Sequence, residues 1–356
     1  MDAPIPGRGA LSNRPSRYLA TTPEKDPPEV LEGEEPLPPR RPETQVRIDP
    51  ARTIISRNTS PDIPFSQSIN PYRGCEHGCI YCYARPTHAY LDHSPGLDFE
   101  MILYAKPNAA ELLDAELRKP GYRPEVIHLG ANTDPYQPIE REHRITRSIL
   151  ETLLSFGHPV TVLTKGTLIE RDLDLLGELA RRGLTRACVS LTTLDPDLKR
   201  TLEPRAASAA ARLRTVRALT DAGIPTAVLV APVIPAVNDH EIESLLEAAA
   251  QAGASRAGWV LLRLPLEIKD LFDEWLKAHK PLAAGRVLSL IADARGGRMN
   301  DPRFGHRMKG GGAYAEMIGK RFSTAARRLG LDAGEAESLD LSQFRVPHAG
   351  GQLGLF

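Results

Sequence analysis

The sequence predicts an α/β fold on a parallel sheet, a partial (β/α)6 TIM-like barrel with an extended N-terminal arm and a helical, basic C-terminal extension. Three observations predict it. Short apolar runs at 125–130, 159–164, 186–192, 225–231 and 257–264 alternate with stretches of helical periodicity at 140–156, 170–182, 208–222, 238–251 and 267–279. With a further strand over 63–72 this makes six strand–helix units, a pattern that implies parallel strands joined by crossover helices. No G-x-G-x-x-G follows the first strand, so the rival open dinucleotide-binding sheet lacks its fingerprint.

Length and composition agree. A chain of 356 residues fits one barrel of about 200–250 residues plus extensions. Hydrophobic residues reach 41%, enough for a sizeable core. Forty-five basic and forty-five acidic residues cancel, so overall charge implies no polyanionic partner. No apolar run approaches a membrane span, and MDAPIPGRGALSNRP has no apolar signal-peptide region. Four cysteines, three in one loop, suit a reducing compartment, and a cytoplasmic location with no membrane partner is expected.

Residues 1–62 are expected to form a largely disordered arm, because eleven prolines fall within 1–50 and little apolar surface accompanies them. RGALSNRPSRYL within it is expected to latch onto the domain. The barrel is expected over 63–280. Its first strand, 63–72, leads into the cysteine loop, and a helix is expected to start over 84–90. A short strand at 101–104 precedes a helix opened by the capping box Asn108-x-x-Glu111. Of the later helices, three stop at Gly157, Gly183 and Gly223, one starts at the N-cap Ser208, and one opens on a second capping box, Asn238-x-x-Glu241. Residues 281–348 form the C-terminal extension. It begins with a helix over 281–294, and between Arg295 and Arg328 nine Lys or Arg stand against Asp301 and Glu316 alone. Residues 349–356 form a flexible tail.

The stretch 70–86, NPYRGCEHGCIYCYARP, holds Cys75, Cys79 and Cys82 in the spacing C-x3-C-x2-C. Thiolates suit zinc or an iron–sulfur cluster. A structural zinc site takes four ligands, usually as two pairs, and no second pair is present. A four-iron cubane on three cysteines leaves one iron open to a substrate or cofactor. A Cys3His zinc loop using His77, His88 or His93 is the alternative.

In parallel barrels functional groups gather at the carboxyl ends of the strands. That rule selects Asn132, Thr133 and Asp134 after the second strand, and Lys165 and Gly166 after the third. Ser190, Thr192 and Thr193 end the fourth, Pro232 and Asn238 follow the fifth, and Arg263 ends the sixth. Each has an ordinary alternative role in capping the following helix.

With Tyr81 before Cys82, the loop reads C-x3-C-x-aromatic-C and resembles the radical SAM superfamily over roughly 63–279. The resemblance implies a [4Fe–4S] cluster on Cys75, Cys79 and Cys82, whose open iron binds S-adenosylmethionine. It implies one-electron cleavage to a 5′-deoxyadenosyl radical, hydrogen abstraction from a substrate, and an electron donor such as flavodoxin or ferredoxin. Against that cofactor Lys165 suits the carboxylate, Asp134 the ammonium or a ribose hydroxyl, and Asn132 and Ser190 the remaining polar atoms. Tyr81-Cys82-Tyr83, Thr133-Asp134, Thr164-Lys165 and Ser190 are similar to spore photoproduct lyase and its relatives. This implies that Lys165 and Ser190 contact the cofactor, that Tyr81 and Tyr83 lie near the radical path, and that DNA is a candidate substrate. The lyase's hydrogen-donating cysteine is missing from Gly130-Ala131-Asn132-Thr133-Asp134, so dimer repair does not carry over. RNA, a peptide or a small molecule remain alternative substrates, and a nonenzymatic zinc or iron–sulfur nucleic-acid module is the alternative class.

Three further features complete the reading. Cys188 shares a strand face with Ser190 and is either a hydrogen donor or a small buried residue. Glu203-Pro204-Arg205 offers either a bidentate anion site or a structural Glu–Arg pair. The basic stretch between Arg295 and Arg328 suits a nucleic acid or a solvated helix face. The final residues Gln352, Leu353, Leu355 and Phe356 resemble the bacterial sliding-clamp-binding motif Q-L-x-L-F, which implies recruitment to a DNA clamp.

Overall fold

The computed structural model describes residues 5–18, 43–332 and 338–347. Ten strands are present among them: β1 (Gln45–Ile48), β2 (Ile55–Arg57), β3 (Gln67–Ile69), β4 (Tyr72–Arg73), β5 (Ile102–Ala105), β6 (Ile127–Leu129), β7 (Val160–Thr164), β8 (Thr185–Ser190), β9 (Thr226–Val233) and β10 (Arg256–Leu261). Seven of them form the main sheet in the order β10-β9-β8-β7-β6-β3-β2. From β3 to β10 every pairing is parallel, and β2 adds an antiparallel edge. These six parallel strands are the six read from the sequence. The described sheet has two free edges, β10 and β2, and does not close on itself. The fold is mixed α/β on a mainly parallel sheet.

Alternation along the strands sets two faces. In β7, β8 and β9 every second residue is buried against the helices and its neighbour is half-buried on the other face. The buried set includes Val160, Val162, Ala187, Val189, Val228 and Val230. Helix Ile145–Ser155 covers it with Ile149, Leu150 and Leu153, a one-sided stripe of helical spacing. The opposite face carries Cys188 and Ser190 of β8, beside Lys165 just past the end of β7.

Local chemistry explains where elements depart from expectation. The strand expected over 63–72 is split into β3 and β4 at Asn70-Pro71, because proline has no N–H for a ladder. Neither Asn108 nor Asn238 caps its helix through its side chain. Asn238 instead accepts from Ile234 N at 2.6 Å and donates to the carbonyls of Thr192 and Pro232, tying the ends of β8 and β9 together. The helix expected over 140–156 breaks at Arg144, whose φ is 51°. Glu140 accepts from Thr146 N at 3.0 Å and so caps the second half. Ser208 does cap its helix, accepting from Ala211 N at 3.3 Å. An unexpected helix, Pro196–Leu202, starts on Asp195, which accepts from Asp197 N and Leu198 N.

A second sheet, β1-β5-β4, was not read from the sequence. Its β1 and the main sheet's β2 both lie inside the stretch expected as an arm, and β4 runs directly into the cysteine loop. At the other end of the chain, Phe344 packs against Tyr122, Phe156 and His158, beside the starts of β6 and β7. The tail 349–356 lies outside the described residues.

Candidate cluster and cofactor site

The cysteine loop is held by backbone bonds from four directions. Cys75 N donates to Phe99 O at 2.9 Å and Ile80 N to Leu202 O at 3.0 Å. Glu76 N donates to Gln137 Oε1, and Arg205 N to His77 O. From inside, Arg85 donates to the carbonyls of Cys79 at 2.8 Å, Gly78 at 3.1 Å and Gly96 at 2.9 Å. Arg85 is fully buried, and its charge is met by the equally buried Glu100.

Glu100 also receives the N-terminal segment. Gly9 N and Ala10 N donate to its two oxygens at 2.9 and 2.8 Å, and Arg8 donates to its carbonyl. Gly9 lies so close to the loop that a Cβ there would stand 1.8 Å from Gly78 O. Farther along, Arg17 ion-pairs with Glu267 and Ser12 donates to Glu274. Residues 8–17, within the segment expected to latch onto the domain, thus form a strap across the cysteine loop.

All three loop cysteines are free thiols. Burial pushes each thiol up, Cys79 to about 12. Such thiols ionise only when a strong positive centre meets them. Ala84 and Phe99 pack beside Cys75 and Cys82. Three soft donors on one loop, Cys75 and Cys79 buried and Cys82 half-buried, suit an iron–sulfur cluster. Among the described residues no group of three or more His, Cys, Asp or Glu is arranged to hold a single metal ion. A cubane makes no such demand, since each thiolate binds its own iron. The histidines of the zinc alternative are engaged: His77 with Asp134 at 3.2 Å, His88 with Ile102 O at 2.9 Å, and His93 with Tyr104 OH at 2.7 Å.

Facing the loop, the ends of β7 and β8 build a charged cluster. Lys165 Nζ donates to Ser190 Oγ at 2.6 Å, reaches Glu203 Oε1 at 3.1 Å, and lies 5.6 Å from the Tyr81 ring centre. Buried Tyr81 donates its hydroxyl to Glu203, and Thr192 donates to the same carboxylate at 2.7 Å. Arg212 completes the set as the buried ion-pair partner of Glu203. Burial alone would raise the Glu203 carboxyl, but Arg212 and Lys165 outweigh it and hold the group well below the usual carboxylate range. The Glu–Arg pair considered for Glu203 and Arg205 is therefore divided: Glu203 takes Arg212, and Arg205 takes Glu76 at 3.0 Å.

Asp134 accepts from Tyr136 N and Thr164 Oγ1 on one oxygen, and from Lys165 N and His77 on the other. Four protein donors fill its acceptor positions, so the carboxylate expected to meet a cofactor ammonium here joins the ends of β6 and β7 to the cysteine loop. Burial opposes its charge, yet His77 and these hydrogen bonds hold its pKa low. Asn132 donates its backbone N–H to Asn70 Oδ1 at 3.0 Å. Tyr83, about half exposed, donates to Ala131 O and lies against the Arg263 guanidinium, 5.8 Å from its ring centre. Cys188 is flanked by Leu163 of β7 and Ala227 of β9, and burial pushes its thiol up to about 12. A cleft of about 530 Å³ opens outside the loop, against Glu76, His77, Arg141 and Arg205.

Much of the basic stretch is neutralised within the fold. Arg303 pairs with Asp301, Arg307 with Asp62, Arg321 with Glu243 and Arg328 with Glu247. Arg295 is buried and donates to the carbonyls of Leu261, Leu262, His306 and Arg307.

A thiol-lined loop at the carboxyl edge of a parallel sheet, faced by a lysine and a buried carboxylate, defines an enzyme class built around an iron–sulfur cluster. The chain belongs to the radical SAM superfamily, whose profile matches residues 69–249. The superfamily's cofactors are a [4Fe–4S] cluster and S-adenosylmethionine. It is 41% identical over 225 residues to an uncharacterized protein of Mycobacterium tuberculosis, covering 62% of this chain and 66% of that relative. It is 28% identical over 193 residues to a radical SAM Nalpha-GlyT isomerase of Pseudomonas phage M6, covering 53% of this chain and 38% of that one. Among solved structures it resembles a spore photoproduct lyase mutant with bound AdoMet and dinucleoside spore photoproduct, with TM-score 0.57 and 15% identity over 80% of this chain and 78% of that chain. At that identity the likeness shows the fold. Among the described residues no helix is long and apolar enough to cross a membrane.

Proposed function

We propose that this radical SAM enzyme acts on a nucleic acid, with DNA the favoured form. Cys75, Cys79 and Cys82 hold the cluster. Lys165 and Ser190 meet the carboxylate of S-adenosylmethionine, Asn132 serves a further polar atom, and Asp134 fixes the strand ends between them. When bound, cluster and cofactor together supply a hydrogen-abstracting radical. The six parallel strands act as a partial (β/α)6 barrel whose inner face carries the chemistry.

The observation that carries this reading is the Lys165–Ser190 contact of 2.6 Å beside Tyr81, at the end of neighbouring strands and opposite the cysteine loop. The chain's own residues prepare the site. Lys165 brings a positive charge to the end of β7, and Glu203, held ionised by Arg212, orients it. Tyr81 closes the interior face against water, and Tyr83 lies at the half-exposed rim. The DNA preference draws support from the similar fold of a lyase with a bound dinucleoside photoproduct, and from the clamp-like Gln352, Leu353, Leu355 and Phe356. A flavodoxin or ferredoxin would reach the loop through the cleft beside Glu76 and His77.

The test is anaerobic reconstitution with iron and sulfide, followed by incubation with S-adenosylmethionine, a reductant and oligonucleotides. Methionine and 5′-deoxyadenosine should form, and an oligonucleotide should change mass. A chain that binds zinc and cleaves no cofactor overturns the reading.

A further inference from the structure

Charged groups that the cluster site leaves unused gather at its mouth. Arg263 lies two residues past the end of β10, and its guanidinium lies 5.8 Å from the ring centre of Tyr83, the neighbour of Cys82. Beside it, Arg307 lies 4.8 Å from the ring centre of Phe304. Both rings are about half exposed, Tyr83 at 49% and Phe304 at 54%. Two cation–aromatic pairs therefore stand side by side at the mouth of the site.

The arrangement is built in. Leu261 N donates to Met308 O at 2.8 Å, so the loop carrying Phe304 and Arg307 is bonded to the end of β10. Arg295 reinforces this joint through the carbonyls of Leu261, Leu262, His306 and Arg307. Asp62 pairs with Arg307 and fixes its direction. Arg263 differs from its neighbours. Among the described residues no carboxylate ion-pairs with it, its one side-chain hydrogen bond is to Met308 Sδ at 3.7 Å, and its buried Nε has no acceptor. Burial and then the neighbouring Arg307 both depress its pKa. A half-buried guanidinium held beside a second one is costly until an anion arrives.

We propose that Arg263, Arg307, Tyr83 and Phe304 form the binding surface for an unpaired segment of nucleic acid, with a phosphate on Arg263 and bases on the two rings. The inference rests on the nucleic-acid reading above and assigns it a site. A planar guanidinium matches phosphate geometry. Exposed aromatics interleaved with cations are the pattern that holds single strands, because every base offers a face to stack. In a duplex those faces are covered, so the ligand is a single strand or an extruded nucleotide. The neighbouring cysteine loop then places that nucleotide where the enzyme does its chemistry.

The test is fluorescence anisotropy of the full-length, cluster-loaded protein against one labelled sequence as single strand and as duplex. The variants are Arg263→Gln, Arg263→Lys and Phe304→Ala, with Lys119→Ala as a cation remote from the mouth. The single strand should bind more tightly than the duplex. Arg263→Gln and Phe304→Ala should each weaken it about tenfold, Arg263→Lys less, and Lys119→Ala not at all. Arg263→Gln should also flatten the salt dependence by about one phosphate contact. Phe304 is exposed, so its variant keeps the test alive if Arg263→Gln fails to fold. If the wild type binds the strand and both variants bind it equally well, the site is refuted while the nucleic-acid reading stands. If the wild type binds neither form of the oligonucleotide, both the site and the nucleic-acid reading fall. Tighter binding of the duplex overturns the stacking arrangement.

Discussion

The Glu100 carboxylate ties Arg85 to the N-terminal strap: it pairs with that guanidinium and accepts from Gly9 N and Ala10 N at 2.9 and 2.8 Å. Arg85 in turn holds the carbonyls of Gly78 and Cys79. One buried ion pair therefore links chain segments 91 residues apart to the cluster loop.

Glu100→Gln leaves a buried guanidinium unpaired and should destabilise the fold by about 3–5 kcal/mol. Gly9→Val meets Gly78 O and should displace the strap alone. Urea unfolding measures the first. For the second, the cluster's absorbance should bleach faster in air than in the wild type; equal bleaching rates would mean the strap gives no shielding.

Replacing Cys75, Cys79 or Cys82 by alanine should abolish cluster assembly, read as iron content and as absorbance in the visible range. Cys188→Ala should retain the full iron content, because Cys188 lies on β8, away from the loop. A full cluster in Cys79→Ala would sink the ligand assignment.

Lys165→Ala should weaken S-adenosylmethionine binding by about 1.5–3 kcal/mol, the worth of a charged hydrogen bond. The cluster should still assemble, since Arg212 continues to pair with Glu203. Calorimetric titration of the reconstituted variant decides it, and unchanged affinity would remove Lys165 from the cofactor site.

Burial lowers His88, His128 and His158, each to about 4 from 6.5. In the fold they stay neutral, while the unfolded chain takes up protons below 6.5. Their contribution is fully present above that pH and is lost as pH falls toward 4, with a slope on the order of 1 kcal/mol per pH unit for each histidine. Urea midpoints at pH 7.5, 6 and 5 should fall in that order. A His158→Gln variant should show a shallower fall, and parallel curves would refute the assignment.

The residues Gln352, Leu353, Leu355 and Phe356 are outside those described, but the chain last appears at Pro347, whose carbonyl accepts from Arg118 at 2.7 Å. Phe344, three residues earlier, packs at the starting end of β6 and β7, away from the cluster site. A peptide of the last residues should bind purified clamp in the micromolar range, and Leu355→Ala and Phe356→Ala should abolish it. Binding indifferent to both changes would end the recruitment reading.

Much of this was legible in the chain itself. The cysteine spacing, the six parallel strands and the short list at their carboxyl ends come from local pattern, because side-chain alternation and helical periodicity are properties of neighbouring residues. Lys165 and Ser190 stand at strand ends that local pattern marks, and they meet because β7 and β8 are adjacent. Other groups carry no such signal. Sequence proximity offers Arg205 as the partner of Glu203, yet Glu203 meets Lys165, Tyr81 and Arg212. RGALSNRPSRYL is expected to latch onto the domain and residues 8–17 do so, but the partner they reach, Glu100, is set by the fold and not by local pattern.

What the sequence determined alone is the class of chemistry: three soft ligands on one short loop, and a parallel sheet to hold them. What only the tertiary structure decided is which charges face each other. Asp134 spends its oxygens on the ends of β6 and β7 and on His77, and Glu100 receives a strap from the far end of the chain. Arg263 is left beside Tyr83 with no carboxylate ion-paired to it among the described residues. Such pairings depend on strand register and on where loops cross, and hydrogen bonds over three ångströms between residues dozens of positions apart leave no trace in local periodicity.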